Sequence, residues 1–268
     1  MLWNKHSTFT KILMMFYESF LLGLIQGITE FLPISSSGHL VIFQKILNVG
    51  NQIEFDVFLH FATVFAIIIF FRKDVIELIK GLFGKSTIGK KMVLGIIIGS
   101  IPTAVIGFIF KDFFEAKFGQ PGIVSVMLIC TGLILWFSEK FSKSDIFNKN
   151  YTSTKMLDYL LIGLAQGIAI MPGISRSGAT ISMALLLGLK KEWAFKYSML
   201  LSIPAVLGAG ILEMEKVKIT SQYFLGGIIA FFSGILALYV LSKIVVSKKL
   251  HNFSYYLWLV GILGLIFI

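Results

Sequence analysis

Cysteine is almost absent from this chain: Cys130, inside an apolar run, is the only one, so neither an internal disulfide nor a thiolate metal cluster can form, and it reads as a packing residue. Proline is scarce too. There are five in 268 residues, and two of them, Pro33 and Pro172, interrupt stretches that are otherwise apolar. Charge is the third shortage: 14% of residues are charged against 56% hydrophobic and 14% aromatic, with a mean hydropathy of +0.87, which excludes a soluble globular chain. Acid is scarcer than base, 14 Asp and Glu against 24 Lys and Arg, for a formal net charge of +10. The charges lie between apolar runs and not as a basic stripe on a polar fold. That pattern excludes nucleic acid as a partner and suits loops facing anionic lipid headgroups.

What is plentiful is membrane-length apolar sequence. A helix needs about 20 residues to cross the hydrocarbon core, fewer where its flanks snorkel. Val57–Phe71, Val93–Phe110, Ile123–Phe137, Phe195–Leu212, Tyr223–Leu241 and Phe253–Ile268 predict six transmembrane helices. Two more stretches, Ile12–Leu47 and Leu157–Leu189, are broken by Pro33 and by Met171-Pro172-Gly173, each followed by small polar residues, which predicts two re-entrant helix pairs. Ile12 to Leu32 follows Lys5 and Lys11 in the manner of a signal peptide. It lacks a small-x-small cleavage site and runs into Glu30 and Pro33, so it is expected to stay in the mature chain. Apolar segments then continue to the C-terminus, leaving no room for a soluble domain.

The two broken stretches resemble each other at one constant offset. Gly23-Leu24-Ile25-Gln26-Gly27-Ile28 pairs with Gly163-Leu164-Ala165-Gln166-Gly167-Ile168, and Ile34-Ser35-Ser36-Ser37-Gly38 with Ile174-Ser175-Arg176-Ser177-Gly178. This points to an internal duplication, with halves near 12–140 and 155–268 inside a single membrane domain spanning 1–268. Three full spans separate the copies, and an odd number inverts the second relative to the first. The expected class is therefore all-α integral membrane, six transmembrane helices plus two re-entrant pairs in two inverted-topology repeats.

The charges orient this scheme. One side collects Arg72, Lys73, Lys80, Lys85, Lys90, Lys91, Lys140, Lys143, Lys149, Lys155, Lys190, Lys191, Lys196, Lys243, Lys248 and Lys249; the other has Lys5, Lys11, Lys45, Lys111, Lys117, Lys216 and Lys218. The richer side is expected to be cytoplasmic, with both termini outside, although Lys5 and Lys11 argue mildly the other way.

Titratable groups at membrane depth are costly and mark function. Glu30 and His39 flank Pro33-Ile34-Ser35-Ser36-Ser37-Gly38, and Arg176 lies within Pro172-Gly173-Ile174-Ser175-Arg176-Ser177-Gly178-Ala179-Thr180. Taken singly, Glu30 has the bland reading of an interfacial carboxylate, His39 of a hydrogen-bonded structural residue, and Arg176 of a snorkelling cation. Together they occupy two copies of one interrupted helix, where free N–H groups and hydroxyl caps at a new helix's positive end suit an anion. Arg176 adds a planar fork for phosphate oxygens. Ser36 or His39 could attack phosphorus or position a water, and Glu30 could act as general base or hold a divalent cation, Mg or Ca. Hydroxyls of Ser35, Ser37, Ser175, Ser177 and Thr180 can donate to phosphate oxygens, with helix capping as their bland alternative. Asp56, His60, Glu54, Glu213 and Glu215 fall near span ends, where interfacial solvation is the default.

At these residues the sequence resembles the undecaprenyl-diphosphate phosphatase family, the bacterial bacitracin-resistance proteins, over essentially the whole chain. Gln26-Gly27-Ile28-Thr29-Glu30 with Pro33 to His39 matches the family's first signature, and Pro172 to Thr180 matches its second. The resemblance implies hydrolysis of undecaprenyl diphosphate to the monophosphate carrier of cell-wall synthesis, with a divalent cation, in a bacterial cell membrane and at a site open to the outer face. It puts Glu30, Ser36, His39 and Arg176 on catalytic positions and Gln26, Ser175 and Thr180 on accessory ones. The first acidic position of some members is Gln26 here, so Glu30 is the only acid of the motif. The partners this implies are the polyprenyl diphosphate and membrane lipids, and a homodimer is compatible with it. The rival class is a secondary carrier, which also joins inverted repeats at broken helices. A pure carrier gains nothing from a carboxylate beside its anion, because Glu30 would repel phosphate unless protonated, metal-bound or catalytic.

Overall fold

A computed structural model describes the backbone of residues 3–47, 49, 53–118, 120–213, 221–247 and 249–268. Glu215, Lys216, Lys218 and Lys248 lie outside the described residues, as do the side chains of Lys5, Lys11 and Glu213. In chain order the helices are α1 (Trp3–Phe31), α2 (Ser36–Ile46), α3 (Ile53–Phe70), α4 (Arg72–Leu82), α5 (Thr87–Ile109), α6 (Lys111–Phe118), α7 (Pro121–Lys140), α8 (Ser144–Phe147), α9 (Met156–Ile168), α10 (Arg176–Leu186), α11 (Lys191–Glu213), α12 (Ser221–Val246) and α13 (Asn252–Phe267). Among the described residues the only β-type pairing is an isolated bridge between Lys149 and Leu189. The chain is thus all-helical, the one open-chain architecture that satisfies every backbone polar group within its own segment in lipid.

Each of the six expected spans contains a helix. Among the described residues four segments, 87–109, 121–147, 191–211 and 223–246, are long and apolar enough to cross a membrane by length and composition. A fifth qualifies if α3 and α4 are taken together, which bend by 87° at Phe71. The chain leaves the expected Val57–Phe71 run there because Arg72, Lys73 and Asp74 end the apolar sequence. At 16 residues α13 is shorter, and its apolar character is continuous.

Polarity is arranged inside out. Phe108, Phe232, Leu236 and Ile266 are exposed, while Gln26, Glu30, His39, Thr131, Gln166 and Thr180 are buried. An apolar exterior around a polar interior, on several membrane-length helices, makes this a multi-pass membrane protein.

Two close-packed seams frame the interior. α1 packs along α12 and α9 along α5. Gly23 lies so close to the Gly226 carbonyl, and Gly163 to the Gly99 carbonyl, that a Cβ at either would overlap the facing backbone. Glycine is required at both because close approach is what holds helices together where burial from water contributes nothing. α2 and α10 both pack against α7, which in turn lies along α13.

Candidate active site

Both interruptions use the same local chemistry. After Pro33, the Ser35 hydroxyl accepts the Gly38 N–H at 3.2 Å and caps α2; after Pro172, Ser175 accepts the Gly178 N–H at 3.1 Å and caps α10. Ser35 does so at φ 68°, a left-handed conformation that costs a non-glycine residue about 1–3 kcal/mol and is concentrated at functional sites. The two breaks touch: the Ser177 hydroxyl reaches the Leu32 carbonyl at 3.3 Å. Ser36 and Arg176 are the first residues of their helices, so two positive helix ends carry the reactive side chains inward.

Glu30, on the last turn of α1, is where these elements meet. Its side chain is 3% exposed. One carboxylate oxygen, Oε1, is ion-paired with Arg176 Nη2. The other, Oε2, accepts the Ser36 hydroxyl at 2.5 Å and the Gln26 amide at 3.0 Å, and lies 3.5 Å from His60 Nε2. Arg176 also donates to the Ser202 carbonyl at 3.5 Å. A buried carboxylate is tolerable only with such pairing and hydrogen bonding. Glu30, Phe31, Arg176, Ser177, Ser198, Met199 and Ser202 line a small cleft.

Of the residues singled out from sequence, Gln26, Glu30, Ser36 and Arg176 are in direct contact. His39 is 3% exposed and turned elsewhere: Nδ1 bonds the Ser35 carbonyl at 2.8 Å, and Nε2 meets the Tyr256 hydroxyl of α13 at 2.7 Å. A carbonyl only accepts, so Nδ1 carries a proton, and in the neutral ring Nε2 accepts from the Tyr256 hydroxyl. Ser37 pairs with Ser35 at 3.3 Å and Ser177 with Ser175 at 3.1 Å. Thr180 donates to the Arg176 carbonyl at 2.8 Å and pairs with Ser198 at 2.6 Å. Most of these hydroxyls are spent on caps and helix seams, while Ser36, Ser37 and Arg176 remain half-buried.

The sequence reading missed His60, Tyr256, Ser198 and Ser202. For His60 a signal was available. α3 begins at Ile53, so His60 sits two turns inside an apolar helix, where a histidine is costly. Both Asp56 carboxylate oxygens accept the Gln44 amide, at 2.9 and 3.0 Å. Tyr256 has no local signal, because only the packing of α13 on α7 brings it to His39.

The donor set for a cation is oxygen. Gln26 Oε1 is buried without a hydrogen-bond partner and lies in the same side chain that binds Glu30. Among the described residues, no group of three or more His, Cys, Asp or Glu could hold a metal. An all-protein cage is therefore absent there, whereas one or two protein oxygens completed by phosphate and water suit Mg²⁺.

Comparison with known proteins gives the family. The family model described as "Bacitracin resistance protein BacA" matches residues 19–263. An undecaprenyl-diphosphatase of Thermosipho africanus is 48% identical over 244 residues, 91% of this chain and 96% of that protein. One from Methanococcus vannielii is 43% identical over 251 residues, 94% of this chain and 100% of that protein. One from Carboxydothermus hydrogenoformans is 43% identical over 256 residues, 92% of this chain and 95% of that protein. With the match running across both interrupted stretches and nearly the full length, the chain belongs to the bacitracin resistance protein BacA family.

Proposed function

We propose that this protein hydrolyses undecaprenyl diphosphate to undecaprenyl phosphate and inorganic phosphate, recycling the lipid carrier of cell-wall synthesis and conferring bacitracin resistance. It is a phosphatase, and its relatives carry that name across almost their whole length. The observation that carries the reading is the Ser36–Glu30–Arg176 contact at two converging helix N-termini.

The arrangement supports Ser36 as nucleophile over His39. Ser36 Oγ already donates to Glu30 Oε2, whereas both His39 nitrogens are engaged with Ser35 and Tyr256. In the forward step Ser36 Oγ attacks the terminal phosphorus, its proton passes to Glu30, and the bond from that phosphorus to the bridging oxygen breaks. Undecaprenyl phosphate leaves with that oxygen. Water then attacks the phosphoserine and the phosphorus–Oγ bond breaks: one water proton goes to Ser36 Oγ, the other stays on inorganic phosphate, and Glu30 releases the proton it took to solvent. Two of the five guanidinium N–H donors of Arg176 are committed, to Glu30 and Ser202, leaving capacity for phosphate oxygens. A divalent cation, Mg or Ca, would be held by Glu30 and the Gln26 amide oxygen, and would supply neutralising charge to the diphosphate.

The architecture we infer is six transmembrane helices with α1–α2 and α9–α10 as re-entrant pairs, in two inverted repeats. Matching packing supports this: α1 on α12 and α9 on α5, α1 on α2 and α9 on α10, α3 on α12 and α11 on α5. The seam glycines Gly23 and Gly163 stand at corresponding positions of the two copies. The protein is assigned to the cell membrane with its site open to the outer face, as the Lys and Arg bias of the opposite loops suggests. A homodimer remains compatible with this arrangement.

The test is phosphate release from a C55 polyprenyl diphosphate by detergent-purified protein, with and without EDTA, beside Arg176→Ala. Release that requires both the cation and Arg176 supports the metal-assisted phosphatase. Substrate binding by folded protein without any release refutes it and favours a carrier.

A further inference from the structure

Around Glu30 Oε2 three side chains converge, and two belong to the hydrolytic motif. The third is His60 from α3, with Nε2 at 3.5 Å. Its ring is not free to turn. Nδ1 lies 2.7 Å from the Asp56 carbonyl one turn earlier, and since a carbonyl can only accept, Nδ1 is the donor and Nε2 is held toward Glu30, which it meets as an ion pair once Nε2 also carries a proton. Asp56 is itself tied down: the buried Gln44 amide of α2 donates to both of its carboxylate oxygens, at 2.9 and 3.0 Å. The side chains thus close a ring through three helices. α1 meets α2 at Glu30–Ser36, α2 meets α3 at Gln44–Asp56, and α3 returns to α1 at His60–Glu30.

This ring matters because α1 and α2 are joined only by the Leu32–Ser35 turn, so the short Ser36–Glu30 contact depends on how α2 is held as a whole. Ser36 begins α2 and Gln44 lies two turns further along it. Fixing Gln44 to α3, and the same helix to Glu30, sets the angle at which Ser36 approaches the carboxylate. We infer that His60 is a positioning residue for the reaction, bracing Glu30 against Ser36 through α3, with Gln44–Asp56 as the second anchor of the brace. The inference rests on the phosphatase reading of the Ser36–Glu30 pair. Positioning of this kind is worth up to about 10²-fold in rate for an ångström of misplacement.

The experiment measures phosphate release from C55 polyprenyl diphosphate over a range of substrate concentrations, using the full-length protein in detergent, with thermal melting of each variant. His60→Ala lowers kcat by about 10- to 100-fold and leaves KM within about threefold. His60→Gln, whose amide nitrogen falls where Nε2 stands and donates to the carboxylate, restores kcat to within about fivefold of wild type. Should His60→Ala fail to fold, Gln44→Ala carries the test, with a loss in kcat of about 3- to 10-fold at unchanged KM. The brace is overturned by a kcat within twofold of wild type in His60→Ala, by a change confined to KM, or by a folded His60→Gln as impaired as the alanine variant. Wild-type protein that releases no phosphate overturns the phosphatase reading itself, whereas active wild type with an indifferent His60 overturns the brace alone.

Discussion

Arg176→Met separates the structural from the catalytic share of the Glu30–Arg176 pair. The Glu30 side chain is 3% exposed and that of Arg176 22%, so removing the cation leaves a carboxylate in the protein interior with only hydrogen bonds and the His60 ring for company. Breaking a buried pair from one side costs about 3–5 kcal/mol, and the partial exposure of Arg176 puts the expectation near the lower end, about 3 kcal/mol. Adding Glu30→Gln removes the orphaned charge while keeping the side chain's length and an acceptor for Ser36, and should recover about 2 kcal/mol of that loss. Activity should behave differently. Without Arg176 the developing charge on the transferred phosphoryl group is uncompensated, and kcat/KM should fall by about 10³-fold, equivalent to about 4 kcal/mol of transition-state stabilisation. The double variant should stay at least as inactive. Equilibrium unfolding in detergent and phosphate release measure the two quantities on the same preparations. If Arg176→Met is as stable as wild type, or if adding Glu30→Gln gives no recovery, the pair does not compensate a buried charge and the reasoning fails.

Ser36→Ala should lower phosphate release by about 10²–10⁴-fold and abolish any acid-stable phosphoprotein after a brief reaction with terminally labelled substrate; label retained on the alanine protein would move the nucleophile elsewhere. Gly163→Leu should destabilise the α9–α5 seam by about 1–3 kcal/mol or more, read as a lowered melting temperature, because the added carbons meet the Gly99 backbone instead of a yielding side chain. Tyr256→Phe removes the donor to buried His39 Nε2 and should cost about 1–3 kcal/mol in stability, and a variant as stable as wild type would mean that His39 is satisfied another way.

The membrane class was legible from composition, and the breaks at Pro33 and Pro172 from local chemistry, since proline interrupts a helix wherever it falls and serine caps the next one. Gln26, Glu30, Ser36 and Arg176 were legible because each is expensive or unusual at membrane depth and sits in a repeated motif. His60 escaped because its partner is on another helix: only the packing of α3 on α1 brings it to Glu30. The roles expected of Ser35, Ser175 and Thr180 met competition from backbone groups that also need partners. Their hydroxyls lie nearest to N–H and C=O groups of their own helices, and a capping bond forms before any ligand arrives.

By itself the sequence determined that the chain is helical and lipid-embedded, that it is interrupted twice in the same way, and that phosphate chemistry has residues to work with at those interruptions. These are properties of segments, set by hydropathy, proline and caps within about one or two helical turns. Only the tertiary structure decided that Glu30 and Arg176, 146 positions apart, form one pair, that His39 turns to Tyr256, and that α3 supplies His60 to the carboxylate. Those pairings depend on which helices pack together, and in a membrane that choice is made by close approach at glycines and by buried polar groups finding partners, neither of which is visible until the helices are in place.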